Sequence, residues 1–572
     1  MKQFFLLYSL LSIIYISAQD SKSKGNINIG VESNIQYILF DDVDNAVTQD
    51  NFRSNNYINL SYDINKFSFG LQVEGYAPKA IQNYSPSYNK QIALATAFVK
   101  YKTKKLDATL GHFYEQFGSG LVLRSWEDRQ LGINNALLGA RVKYNLSKGV
   151  GLTGLVARQR YGFKLSESNI YGFNSEINLT DMFNYTKTNL NIGLSFVGKD
   201  EPYVSITPGF KGANFPNYVY TTSARLDYSQ GGFYSNVEYV SKSDDVRIAS
   251  NQVVEGDKHK GNAALLTLGY SKKGMGISGT FRRLENMSFY SEREAAGNIY
   301  NEQIMNYIPG LTKQHDYSLT NIYVYQAQTQ ADFVTFLDVN PDTGYAKGHV
   351  KDGELGGQID FYYKFKKKTT LGGKYGTKLA ANFSHWTDLY TSFDKSQSYQ
   401  SGYQIDYDTD LLNYRTLLYR DFNLEIRKKW SKKVSSIFSY ANLLYNKSIL
   451  EGLEFESVNA NIAIAESTFK LGHGKAIRAE IQHLWTPNDQ KNWAAGTLEY
   501  NASTKLAFFA TDMYNYGLTK DHYYNFGTSY TKNKTRVALN YGKQRGGLLC
   551  VGGVCRVVQA STGFNLSLIT SF

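Results

Sequence analysis

The last stretch of the chain, CVGGVCRVVQASTGFNLSLITSF at residues 550–572, decides how the rest is read. At period two, Phe564, Leu566, Leu568, Thr570 and Phe572 fall on one face of a strand and Gly563, Asn565, Ser567 and Ser571 on the other, with Ile569 alone out of step. The ends of water-soluble domains usually fray. A terminal strand that keeps its largest apolar side chain for the final position points instead to a surface that meets lipid.

At the opposite end, residues 1–20 read MKQFFLLYSLLSIIYISAQD, with Lys2, an apolar run and then Ser17-Ala18-Gln19. This is the pattern of a secretory signal peptide over residues 1–18, cleaved after Ala18. Its apolar run is about 13 residues long, where a spanning helix needs roughly 20. No cysteine follows the cleavage site, and no later stretch approaches helical spanning length. A chain of this kind crosses a bilayer only as a closed barrel, which pairs every backbone polar group without water.

Composition suits that route. The 572 residues include 46 Tyr, 33 Phe and 49 Gly but only 8 Pro, so strand formers are abundant although the polar residues hold the mean hydropathy at −0.39. No Pro- or Ser-rich tract or charge block divides the chain. What repeats is a strand, a longer polar segment, a returning strand and a very short turn. Short turns are expected at 65–66, 102–105, 147–149, 198–202, 229–231, 271–274, 366–368, 431–433, 471–475, 501–504 and 532–534. Longer loops are expected at 40–54, 115–136, 161–181, 286–354 and 387–418. One strand on each side of every turn, with the two terminal strands added, predicts about 24 strands, within 22–26, for one all-β, up-and-down antiparallel transmembrane barrel over 19–572. Short turns and both termini would lie on the periplasmic side, and long loops outside.

The strands separate two faces. Phe422, Leu424 and Ile426 alternate with Asn423, Glu425 and Arg427, and Ile477, Ala479 and Ile481 with Arg478, Glu480 and Gln482. With the apolar sets toward lipid, Arg225, Asp227, Glu238, Glu425, Arg427, Arg478, Glu480, Glu499 and Arg536 are expected to face the lumen, because an Arg in mid-bilayer costs about 2–4 kcal/mol.

Residues 111–142, GHFYEQFGSGLVLRSWEDRQLGINNALLGARV, depart from period two and concentrate Glu115, Arg124, Glu127, Asp128, Arg129 and Arg141. One reading is a loop folded into the lumen as a constriction near 115–136. The other is a solvated outer loop whose charges do nothing specific. The runs YEQFGSGLVLR and EDRQLGINNALLGARV, with the C-terminal LLCVGGVCR, resemble a family of Bacteroidota outer-membrane proteins catalogued as a domain of unknown function. The resemblance covers most of the mature chain and implies an outer-membrane location with no established activity. A proline is common in that family near the position held here by Gln559.

Cys550 and Cys555 flank a Val-Gly-Gly-Val tip and, as the two cysteines of an exported chain, are expected to form a disulfide. Two thiolates cannot complete a zinc site, the eight His are scattered, and no HExxH is present, so neither metal, cofactor nor catalysis is expected. The runs beginning at Gly149 and Gly274 satisfy GxGxxG but open strands rather than helices, leaving no phosphate cradle; their glycines are expected to ease strand twist or close approach. The net charge of +12 comes with many turn lysines and no nucleic-acid signature, which suits anionic lipid headgroups and argues against nucleic acid. Two classes of function remain: a porin-like channel for small polar or charged solutes, or a non-conducting scaffold or accessory subunit that docks a surface protein. Phe572 itself suits the periplasmic aromatic girdle and resembles the terminal signature read by barrel assembly machinery.

Overall fold

The structure, a computed structural model, describes residues 25–39, 51–81, 84–89, 91–202, 216–249, 252–293, 302–328, 332–339, 346–351, 353–393, 407–451, 457–551 and 553–572. The expected signal peptide over 1–18 and its cleavage point lie outside the described residues, as does most of the expected loop at 40–54.

Sequential antiparallel hairpins build the wall, and the first strand, Gly25–Leu39, pairs both with Phe52–Ile64 and with the last strand, Ser561–Ser571. The 25-stranded sheet is therefore a closed ring of 24 strands plus the two-residue strand Lys164–Leu165, which pairs only with Val150–Tyr161. Closure extends to the last residue, whose amide donates to the Ile29 carbonyl at 2.9 Å. No helix among the described residues is long and apolar enough to cross a membrane, and the membrane is crossed by strands.

Turn chemistry sets the short end. Gly231 and Gly232 adopt φ of 58° and 93°, and His473 and Gly474 adopt 50° and 77°, so each pair forms a two-residue hairpin whose twist matches the flanking strands. Nine of the expected short turns connect wall strands as read, the one at 366–368 falls within a longer connection between Lys364 and Thr377, and the one at 198–202 is not a short turn. Thr188–Asp200 continues as strand over the first three of those positions, and Gly198 stays extended, where a Cβ would lie 2.4 Å from the Tyr218 hydroxyl across the ladder. The turn instead falls within 179–187, where Asn178 caps a five-residue helix, Leu179–Phe183, by accepting from the Asp181 amide, and Asn184 ends it at φ 55°. Consequently the expected loop at 161–181 contains a wall strand, Asn169–Asn178. The loop expected at 387–418 is also largely strand, since Thr377–Phe393 and Tyr407–Lys429 continue pairing at Leu389 with Tyr414. Of the glycines in the two GxGxxG runs, Gly149 makes a close approach, with a Cβ there lying 2.5 Å from the Asn178 carbonyl oxygen, whereas a Cβ at Gly154 would meet nothing within 4 Å and one at Gly279 only ordinary contacts.

The outward set is apolar, as with Leu110, Ile359, Ile481 and Leu498, all of which are exposed on the wall. Inward, the expected rule of polar residues holds only in part. Val197, Val219, Val240, Ala263 and Leu284, in successive strands, are fully buried together with Leu121, Val122 and Leu123 of the 114–136 loop and Met287, Phe289 and Met305 of the 286–328 region. A second cluster joins Leu319, Tyr323 and Tyr325 to wall residues Trp386, Ile462 and Leu484, and a third is a tyrosine nest of Tyr57, Tyr76, Tyr84 and Tyr88. The correction has a simple cause: connecting segments fold back inside the barrel, and wall positions that meet them are apolar on the inner face as well.

Candidate functional site

Two connecting segments occupy the barrel interior and bond to each other. The Arg124 amide donates to the Met305 carbonyl at 2.8 Å, the Tyr307 amide to Gly120 at 2.9 Å, and the Asn135 side chain to Ile304 at 2.9 Å. Wall side chains hold the second segment from several strands: Arg282 donates to the Pro309 carbonyl at 2.8 Å, the Trp386 indole to Leu311 at 3.0 Å, and the Leu319 amide donates to Gln482 at 3.0 Å. These bonds satisfy the backbone groups that an irregular segment would otherwise leave bare inside the membrane.

The charges of 115–136 are paired rather than free. Glu115 is buried and meets Arg141 at 3.3 Å and Lys143 at 2.8 Å, while Arg141, on the wall strand Leu137–Ser147, also reaches Asp107 at 3.2 Å. Arg129 binds Glu127 at 2.9 Å, pairs with Glu32 of the first strand, and lies 4.1 Å over the Tyr57 ring. Arg124 lies 3.7 Å over the Tyr307 ring, and Asp128 accepts the Gln130 and Leu131 amides, each at 2.9 Å. Gly118, at φ +54°, sits against Arg225, where a Cβ would lie 2.4 Å from its Cδ, and the next amide, Ser119, donates to Glu238 at 3.2 Å.

The wall charges form ladders across neighbouring strands. Arg225 donates to Asn174 at 2.7 Å, Glu176 at 2.6 Å and Ser195 at 2.7 Å, and Asp227 accepts from Asn236 at 2.6 Å. Arg478 joins Glu466 at 3.0 Å and Glu499 at 2.7 Å and also pairs with Glu480. Arg427 binds Glu425 at 2.5 Å. Arg536 is exposed, level with Ile569 in the register. Unforeseen in the sequence are the fully buried pairs Glu74–Arg160 at 2.6 Å and Arg282–Glu354 at 2.5 Å.

Much of the space left over runs beside the strand Gly25–Leu39, and a separate cavity of about 320 Å³ is lined by Lys313, His315, Asn382, Asn423 and Glu425. A cavity of about 610 Å³ lies among the outer connections and is lined by Tyr323, Lys447, Asp489 and Arg545. It shares Arg545 and Leu548 with a cavity of about 740 Å³ bordered by Glu32, Asn34 and Gln36. Asn28 and Gly30, the next inward positions of that strand, line a third cavity of about 570 Å³ with Ser571 and Phe572. Over the outer cavities folds the hairpin Gly547–Val551 with Val554–Val558, whose disulfide joins Cys550 to Cys555 and whose Gly553 carbonyl accepts from the Gly310 amide at 2.9 Å. Among the described residues no group of three or more His, Cys, Asp or Glu is arranged to hold a metal ion.

Solved structures similar in outline include the siderophore receptor PirA from Pseudomonas aeruginosa, at 9% identity and a TM-score of 0.39 over 97% of this chain and 81% of that one. The P pilus usher PapC translocation pore is similar at 9% identity and 0.38 over 95% and 99%, and a BenF-like porin from Pseudomonas fluorescens Pf-5 at 10% and 0.34 over 82% and 98%. No curated protein sequence matches the chain. The barrel assignment therefore rests on the strand pairing itself, and over residues 1–572 the chain belongs to the family of unknown function DUF6029.

Proposed function

We propose that this protein is an outer-membrane channel for small polar or charged solutes, with its route along the seam where the first and last strands meet. The observation that supports this most is the succession of cavities beside Gly25–Leu39, in which inward residues Gln36, Asn34 and Glu32 border one cavity and Gly30 and Asn28 the next. On this reading the 115–136 loop, with Glu127, Arg129 and Glu32, narrows the passage, and the apolar clusters fill much of the rest of the lumen. Lys- and aromatic-rich rims meet lipid headgroups, the signal peptide exports the chain, and Phe572 is read by the assembly machinery.

The apolar clusters favour a second reading. A lumen packed with Leu121, Val122, Met305, Leu319 and Tyr325 suits a non-conducting scaffold whose outer connections dock a surface protein. Single-channel recording of the refolded protein in planar bilayers separates the two. The channel reading predicts small ion-selective steps that grow when residues 117–129 are deleted, and the scaffold reading predicts silence in both forms.

A further inference from the structure

One cation on this route has no carboxylate. Arg545 follows the wall strand Thr535–Gln544, sits where the 610 and 740 Å³ cavities meet, and makes no hydrogen bond or ion pair among the described residues; its guanidinium lies 5.9 Å from the centre of the Trp493 ring. The nearby Asp489 is already engaged by Lys447 at 2.6 Å and by the Tyr323 hydroxyl at 2.9 Å. Arg129, Arg141, Arg160, Arg225, Arg282 and Arg478 of the same interior all meet acids, whereas Arg124, like Arg545, lies over aromatic rings. An Arg fork held among aromatic rings and without a partner is built for bidentate capture of a planar carboxylate.

The same 740 Å³ cavity carries two unused acceptors. Gln36 is 6% exposed and its Oε1 has no hydrogen-bond donor among the described residues, and the same holds for the buried Asn525 Oδ1. Buried amide oxygens left without donors each carry a desolvation cost, so a rotation of the Gln36 and Asn525 amides toward the cavity that these residues line would be rewarded by a ligand's O–H groups. The volume lies within the roughly 300–1,000 Å³ of small-molecule sites.

Resting on the channel reading for its place on a route, we propose that this cavity binds a small polyhydroxylated carboxylic acid, with Arg545 taking the carboxylate and Gln36 and Asn525 accepting from hydroxyls. The acid and hydroxyl requirements are separable. Titration calorimetry of the detergent-solubilised full-length mature protein with galacturonate, galactose and acetate should show galacturonate binding at least roughly 10-fold tighter than either of the others. Arg545→Gln should remove that preference over galactose, and Gln36→Met should remove the preference over acetate. Equal affinity for galacturonate and galactose in the unaltered protein, or no binding of any of the three, overturns the proposal without recourse to a variant. Conductance recorded from the same preparations keeps the two ideas apart: a conducting protein indifferent to galacturonate sinks the binding site alone, and a silent one that binds it sinks the channel alone.

Discussion

Replacing Glu74 by glutamine strands the Arg160 charge inside the barrel. The two side chains are 1% and 2% exposed and 2.6 Å apart, and the Arg160 Nε has no acceptor among the described residues. Glu74 also accepts from the Tyr76 hydroxyl at 2.9 Å through Oε2 and from the Asn134 amide at 3.1 Å through Oε1, so a glutamine, with a single amide oxygen, keeps one of these bonds and turns an N–H toward the other donor. The substitution therefore removes the charge and at least one hydrogen bond. Breaking a buried pair from one side costs about 3–5 kcal/mol, and even the lower end, about 3 kcal/mol, is large enough to measure. That is roughly a 100-fold change in the folding equilibrium. Because apolar groups of similar volume can replace a buried pair at little cost, Glu74→Leu combined with Arg160→Met should recover most of the loss. Guanidinium unfolding of vesicle-embedded protein, followed by tryptophan fluorescence, measures both. A Glu74→Gln protein within about 1 kcal/mol of the parent, or a double variant as weak as the single, would refute the reasoning.

Other expectations follow from the same structure. Deleting Phe572 removes the amide that closes the ladder onto Ile29 and the terminal aromatic, so outer-membrane levels should fall while export across the inner membrane is unchanged, as fractionation would measure. Cys550→Ser with Cys555→Ser opens a ring of five-residue separation, which should cost about 2 kcal/mol or less and make the hairpin over 547–558 more sensitive to protease without unfolding the wall. His315, on the inward-folded segment and 3.0 Å from the Asn423 side chain, is held below its ordinary pKa by burial. The unfolded chain then binds the proton first, so this contribution to stability is present above about pH 6.5 and is lost as pH falls through it. His315→Gln should flatten the decline in unfolding midpoint between pH 7.5 and 5.

The wall was legible because period-two alternation and positive-φ turns are local. Asn65, Gly149, Gly231, Gly274, His473 and Asn533 each sit at φ above 45° in turns that the sequence marks with Asn, Gly or Lys. The predicted strand number matched the closed ring although one turn was misplaced, because the glycine, lysine and proline at 198–202 imitate a turn, whereas the true turn carries the Asn178-to-Asp181 capping signal. Glu74 could also have been found, since Ser68, Gly70, Gln72, Glu74 and Tyr76 alternate with Phe67, Phe69, Leu71 and Val73. The interior packing was not legible. Val197, Val219 and Val240 face inward against Phe117 and Met305, residues far away in the chain, and nothing local distinguishes such a valine from one facing lipid. Arg545 was illegible for the same reason: its significance is the lack of an acidic partner among the described residues, which only the assembled barrel reveals.

The account depends on which way alternate residues of a wall strand point, and spin labels placed one at a time along Lys475–Trp485 in vesicles measure this directly. Oxygen collision rates should rise and fall with period two, high at 477, 479 and 481, where Ile481 is 68% exposed, and low at 478, 480 and 482, where Glu480 and Gln482 are buried. A flat profile, or lipid contact at 480 and water at 481, would contradict the barrel's orientation and everything built on it.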